Sequence, residues 1–226
     1  MKVGLIPAAG MARRLGISWP KELVDFNGKA IIEYSIDNLI EAGVDLIVIV
    51  IRIGKEDLKN YVEHKYKDRC RFTFVYQQGE IGNLIDAIKA GYVAIKGHTV
   101  YFCMADTFVR PNPFIVDPVQ PLTLLCFKAE GNTWKNFGVV DINQRKVVDK
   151  PSHYITNICW GALIWKPSFT EKIMASNSLP DVLNQVKWEY VINIEEYKDV
   201  GIKKIPNMEE LMHGRSLPGF PGVPAA

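Results

Sequence analysis

The chain has 226 residues, 48% of them hydrophobic and 23% charged, with a mean hydropathy of zero. That excludes intrinsic disorder, which needs low hydrophobicity and high net charge, and the length suits one generous domain or two small ones. Lys and Arg total 27 against 25 Asp and Glu, so the net charge is only +2, which argues against a nucleic-acid partner held by bulk electrostatics.

Residues 3–6 are a short apolar run and a candidate first strand. A long loop from Ala8 to Lys21 follows, and Asn27-Gly28 marks a turn. Ile32, Ile36, Leu39 and Ile40 recur at i, i+4, i+7 and i+8, one face of a helix, and Gly43 stands where a helix C′ glycine belongs. Residues 46–51 are apolar throughout and rich in Val and Ile, the pattern of a parallel strand buried on both faces. A helix over 56–66, a strand over 71–76, a helical stripe through Leu84, Ile85, Ile88, Tyr92 and Ile95, and a strand over 100–104 repeat the alternation. This predicts an α/β fold of the Rossmann-like kind, an open mixed, mostly parallel sheet flanked by helices.

The second half is richer in strands: 122–127, 138–142, 146–149, 155–165 and 191–194, with helices over 167–175, 180–186 and 207–213. It reads as completing the sheet and adding a small antiparallel substrate lobe. The expected organisation is a single domain over 1–213, with a nucleotide-binding half (1–118) and an acceptor-binding half (119–213). Three prolines and three glycines make 214–226 a loose tail. Cys70, Cys103, Cys126 and Cys159 form no C-x-x-C pair and read as free thiols of a reducing compartment. No leader is visible, and a run such as 46–51 falls far short of a membrane span, so the expected location is cytoplasmic, with no membrane partner.

The first strand runs into Pro7-Ala8-Ala9-Gly10-Met11-Ala12-Arg13-Arg14-Leu15-Gly16, then Pro20-Lys21-Glu22-Leu23. Small residues let the backbone approach a ligand, and loop amides can cradle phosphate oxygens. Arg14 and Lys21 add positive charge. The segment is neither a dinucleotide G-x-G-x-x-G nor a P-loop. Taken alone, it is equally compatible with a solvated surface loop.

This segment resembles the N-terminal signature of the sugar-1-phosphate nucleotidyltransferases, the NDP-sugar pyrophosphorylases, whose small-residue loop of the form L-A-G-G-x-G-T-R-L precedes a P-K. The likeness extends to about Glu210. Ala12 stands where the family has Gly, and Arg13 where it has Thr or Ser. The resemblance implies nucleotide contacts from Ala8, Ala9, Gly10, Met11, Ala12 and Arg13, and catalytic roles for Arg14, Lys21 and Asp106. It also implies base recognition by Gln77 and Gly82, whose spacing matches the family's. A Gln amide offers both a donor and an acceptor to a pyrimidine edge. Without the resemblance, a polar turn before a helix is the simpler reading of 77–83.

Asp106 ends an apolar strand, where ligands of open α/β sheets collect. The alternative is a capping carboxylate. The family places a metal ligand here and a second at the Asp of W/Y-x-D-I/V-G-T, which Tyr197-Lys198-Asp199-Val200-Gly201 resembles, with Ile202 replacing Thr. The implied cofactor is Mg²⁺ on Asp106 and Asp199. Val147-Val148-Asp149-Lys150-Pro151 resembles V-x-E-K-P, whose acidic residue meets sugar hydroxyls and whose Lys meets the sugar phosphate. Asp149 is one methylene shorter than the family's Glu. Trp160 and Gly161 fall in the segment lining the family's sugar site, where Trp160 serves either the pocket or the core. Tyr154 and Asn157 are further polar candidates for that pocket.

The implied partners are a nucleoside triphosphate (UTP, dTTP or CTP) and a sugar 1-phosphate or another small phosphate acceptor. The family assembles as dimers or tetramers, so a homo-oligomer is the state to test, although no stretch marks an interface. Two other readings stand beside sugar transfer. One is a cytidylyltransferase for a non-sugar phosphate or phosphonate, suggested by Asp149 and Trp160. The other is a nucleotide-binding regulatory protein without catalysis, suggested by Ala12, Arg13 and Ile202.

Overall fold

The computed structural model describes residues 1–10, 20–79 and 83–200. In chain order the elements are β1 (Lys2–Pro7), β2 (Asp25–Phe26), β3 (Lys29–Ala30), α1 (Ile31–Glu41), β4 (Leu46–Ile51), α2 (Glu56–Tyr66), β5 (Phe72–Tyr76), α3 (Leu84–Ala90), α4 (Tyr92–Ile95) and β6 (Thr99–Cys103). They continue with β7 (Thr107–Arg110), β8 (Leu122–Lys128), β9 (Gly138–Asp141), β10 (Lys146–Asp149), β11 (Ile158–Trp165), α5 (Pro167–Met174), α6 (Leu179–Leu183), β12 (Trp188–Ile194) and β13 (Glu196–Asp199).

Among the described residues the main sheet has nine strands. Its first half is parallel, with β6, β1, β4 and β5 side by side. Successive residues of these strands point to opposite faces, and both faces are covered. Ile6, Ile47, Ile49 and Tyr101 meet α1 and α2 through Ile36, Leu39, Leu58 and Val62. Leu5, Val48, Val50 and Phe102 meet α3, α5 and α6 through Ile88, Phe169 and Val182. That is why the 46–51 run carries no polar residue. The sheet is mixed, as expected: β11 runs antiparallel to β6, β8 and β9, and β12 is parallel to β8.

β11 positions the site. Its carboxyl half lies beside β6, with Ala162 opposite Cys103, and its amino end lies beside β9, with Cys159 opposite Val139. Between these pairings, at Trp160 and Gly161, the edge of β11 is where the chain leaves β6 through Met104 and Ala105 to Asp106. The register of β11 on β8 shifts at the same place.

The structure differs from the sequence expectation in several elements. The helical stripe through 84–95 is two helices, because Gly91, a weak helix former, ends α3. The strand expected from 155 begins at Ile158, and the one expected from 191 begins at Trp188, extended by parallel pairing with β8. Residues 107–110 form a strand that was not anticipated, paired antiparallel with β13. The helix expected over 207–213 and the tail lie outside the described residues. No helix among the described residues is long and apolar enough to cross a membrane.

Candidate active site

A cleft opens at the carboxyl ends of the parallel strands. Pro7 and Ala9 reach it from β1, Arg52 from β4, Gln77 from β5 and Met104 to Asp106 from β6, while Asn83, Leu84 and Ala87 close it from α3. This is where an open α/β sheet leaves room for a ligand.

Lys21 and Asp106 meet in this cleft, the Lys21 ammonium paired with Asp106 Oδ2. Lys21 opens a short 3₁₀ turn whose next residues, Glu22 and Leu23, are buried anchors. Asp106 is itself buried. Burial works against the Lys21 charge, but Asp106, with Glu22 and Asp199 adding, outweighs it and holds the ammonium above its ordinary pKa. The bend after β6 is tied down by Ser35, whose hydroxyl donates to the Met104 carbonyl (2.7 Å).

The β7–β13 pair brings Asp199 to the same place. Asp199 registers with Thr107, and the Val200 N–H donates to the Asp106 carbonyl (3.0 Å). Two acidic residues far apart in sequence thus become cross-strand neighbours. Among the described residues no three His, Cys, Asp or Glu gather as a metal cage. Two neighbouring carboxylates suit a hard cation that takes its remaining oxygen ligands from elsewhere.

Among the nucleotide-binding candidates, Gln77 lines the cleft at 9% exposure, and its N–H donates to the Ile51 carbonyl (2.9 Å). The Asn83 N–H donates to Asp86 Oδ2 (2.7 Å), fixing the start of α3. Ala8, Ala9 and Gly10 continue β1 to the cleft rim, the Ala8 N–H bonding the Val50 carbonyl (2.7 Å). Met11, Ala12, Arg13, Arg14 and Gly82 lie outside the described residues.

The acceptor candidates gather on neighbouring strands. Cys159 opposite Val139 sets Trp160 beside Gly138, and Gly138 is opposite Asp149. Lys150 follows with a positive φ of 43°, its N–H donating to the Phe137 carbonyl (3.0 Å). Asp149 and Lys150 are exposed, Trp160 is half-buried and Gly161 is buried. The Trp160 indole rests on Gly138, within a cluster that also holds Ile142 and Ile158. One face of the Trp160 indole is therefore a packing face. Gly161 is covered by the Tyr197 ring, 2.7 Å from where a Cβ would stand. Tyr197 in turn stacks on Phe127 at 4.1 Å and meets Phe137 edge-on. Tyr154 is exposed and packs edge-on against Trp134.

The model of one family, described as the MobA-like NTP transferase domain, matches residues 4–115. Over those residues the chain resembles that domain. The choline-phosphate cytidylyltransferase of Streptococcus pneumoniae is 26% identical over 227 residues, covering 91% of this chain and 93% of its own. Two archaeal relatives, from Methanocaldococcus jannaschii and Methanosarcina acetivorans, are each 27% identical and are named for glucose-1-phosphate uridylyl transfer and molybdenum cofactor guanylyl transfer. The chain spans about half the length of these two, 47% and 53%. Among solved structures, a UDP-glucose pyrophosphorylase in complex with UDP-glucose aligns with a TM-score of 0.74 at 21% identity, over 89% of this chain and 94% of that one. A UTP-bound UGPase from Acinetobacter baumannii aligns at 0.73 and 17% identity, over 94% and 93%. At such identities the likeness is one of fold.

The matched segment holds Lys21 and Asp106, while Asp199 and the strands of the acceptor candidates lie beyond it. It also holds three site residues that sequence reasoning missed: Glu22, Arg52 and Lys55. Lys55 Nζ donates to Glu22 Oε1 (2.7 Å) and to the Ala8 carbonyl (2.6 Å). Burial pushes the Glu22 carboxyl up and the Lys55 ammonium down, each restrained by the other. Arg52 donates to the carbonyls of Ala9 (3.3 Å) and Gly79 (2.5 Å). The signal for the two cations was present: they are the first charged residues past the carboxyl end of β4, the criterion that singled out Asp106.

Proposed function

We propose that the chain transfers a nucleotidyl group from a nucleoside triphosphate to the phosphate of an acceptor, a sugar 1-phosphate in the first reading. An acceptor phosphate oxygen bonds to the α-phosphorus, the bond from that phosphorus to the bridging β-phosphate oxygen breaks, and pyrophosphate leaves with the electron pair. The products are an NDP-sugar and pyrophosphate. The pairing of Lys21 with Asp106 at the carboxyl end of the sheet, with Asp199 beside them, carries this reading.

Such a reaction needs reactants aligned and negative charge neutralised more than it needs acid–base chemistry. Lys21 is assigned to the α-phosphate, where its ammonium would offset negative charge. Gln77 is assigned to the base. Arg14 is assigned to the β- and γ-phosphates, Lys150 to the acceptor phosphate and Asp149 to acceptor hydroxyls. The donor pair Asp106 and Asp199 fits Mg²⁺, which when bound supplies charge neutralisation at the α-phosphate. The acceptor phosphate is ionised at neutral pH, so no general base is required.

A second reading keeps the chemistry and changes the acceptor: cytidylyl transfer to a small non-sugar phosphate or phosphonate. It is favoured by the nearly full-length match to a choline-phosphate cytidylyltransferase and by the rings of Phe137 and Tyr197 near Lys150 and Asp199. Pyrophosphate release, measured with each nucleoside triphosphate against a panel of phosphorylated acceptors, separates the two. Release with no pair would favour the non-catalytic, regulatory reading.

A further inference from the structure

We infer that Arg52 and Lys55 act as a cationic brace, turning the β1 loop so that the N–H groups of Ala9 and Gly10 face the cleft and holding the segment of Lys21 against that loop. They are positioning residues for the triphosphate tail, and the inference rests on the nucleotidyl-transfer reading above.

The geometry is specific. Lys55 Nζ takes the Ala8 carbonyl and Arg52 Nε takes the Ala9 carbonyl. A peptide unit is planar and trans, so each N–H points opposite to the carbonyl of its own unit. Drawing the Ala8 carbonyl toward Lys55 turns the Ala9 N–H away from it, and drawing the Ala9 carbonyl toward Arg52 does the same for Gly10. Both residues line the cleft. Successive N–H groups aimed into one concavity make an anion site.

The same two cations join the other segments of the site. Lys55 also holds Glu22, the neighbour of Lys21, and Arg52 also holds the Gly79 carbonyl, two residues beyond Gln77. Three loops that are separate in sequence are therefore fixed to the one turn that follows β4.

Stability alone does not account for this arrangement. The Glu22 and Lys55 side chains are 0% and 5% exposed, and a buried ion pair is often no better for the fold than packed apolar residues. Glu22 Oε2 is buried with no hydrogen-bond partner among the described residues, an additional cost to the fold. The arrangement is accounted for by orientation of the loop.

The test compares Lys55→Met and Arg52→Met with Lys55→Arg and Arg52→Lys in the full chain. Readouts are calorimetric Kd for each nucleoside triphosphate with Mg²⁺, the separate KM values for triphosphate and acceptor, and thermal midpoints. The Met variants should weaken triphosphate binding about tenfold or more, corresponding to the loss of a hydrogen-bond-sized interaction, and leave the acceptor KM within about twofold. Arg52→Lys should recover part of the loss. Should Lys55→Met not fold, Arg52→Met, at a half-buried position, decides the matter. Folded Met variants that bind the triphosphate as the wild type does overturn the brace alone. A wild type that binds no triphosphate overturns the nucleotidyl reading and the brace together.

Discussion

Trp160 lies on Gly138: its Nε1 is 2.0 Å, and its Cδ1 2.8 Å, from where a Cβ on Gly138 would stand. No other residue fits under the indole without moving it. Gly138→Ala is therefore expected to destabilise the fold by about 1–3 kcal/mol, the usual cost of overpacking. A thermal melt reads this directly, and an unchanged midpoint would mean that the indole moves aside freely.

Lys21→Ala and Asp106→Ala each remove one half of the pair at the cleft. Turnover should fall by about 10²–10³-fold, as when an electrostatic contributor to a transition state is deleted, with far-ultraviolet dichroism unchanged. Near-normal pyrophosphate release from either folded variant would refute the assigned roles.

Glu189 controls an acid-dependent part of the stability. Partial burial disfavours its charge, but hydrogen bonds from the N–H groups of Gln120 and Val119 and the Thr123 hydroxyl, with Lys166 nearby, hold its carboxyl below the ordinary range. A depressed folded value means a contribution that is complete above the unfolded carboxylate pKa, about 4.3, and lost as pH falls through the folded value. Glu189→Gln should be less stable than wild type at pH 7, and the gap should narrow at pH 3. Denaturant midpoints at the two pH values test this; a gap independent of pH would contradict it.

The thiols should be inert in the folded protein. Burial raises the Cys103 and Cys159 thiols to about 12 and the Cys126 thiol higher still. All three are buried, and Cys70 alone is partly exposed. A thiolate reagent at pH 7.5 should label at most Cys70 in the native state and all four cysteines after unfolding, as counted by mass spectrometry.

Much of this architecture can be read from periodicity. The unbroken apolar run of β4 announces a strand covered on both faces, and the ends of such strands point to Asp106. The β7–β13 pair escapes that kind of reading. Each strand has four residues of mixed polarity, and each is defined only by the other, from the opposite half of the chain. Asp199 consequently needed a family resemblance to be singled out, where its register opposite Thr107 now explains its position. Lys55 and Glu22 were missed for a related reason: charged residues next to turns look solvated in a sequence, and only the tertiary fold shows them buried together.

The hairpin of β9 and β10 meets β11 through the single registered pair Cys159–Val139, whereas β1 and β6 are locked into the middle of the sheet. Lengthening or reshaping that hairpin would thus leave the cleft at the carboxyl ends of β1 and β6 undisturbed. Under the proposed reaction, a scaffold divided in this way could acquire a new acceptor preference by remodelling one peripheral loop, without rebuilding the cleft that holds Lys21 and Asp106.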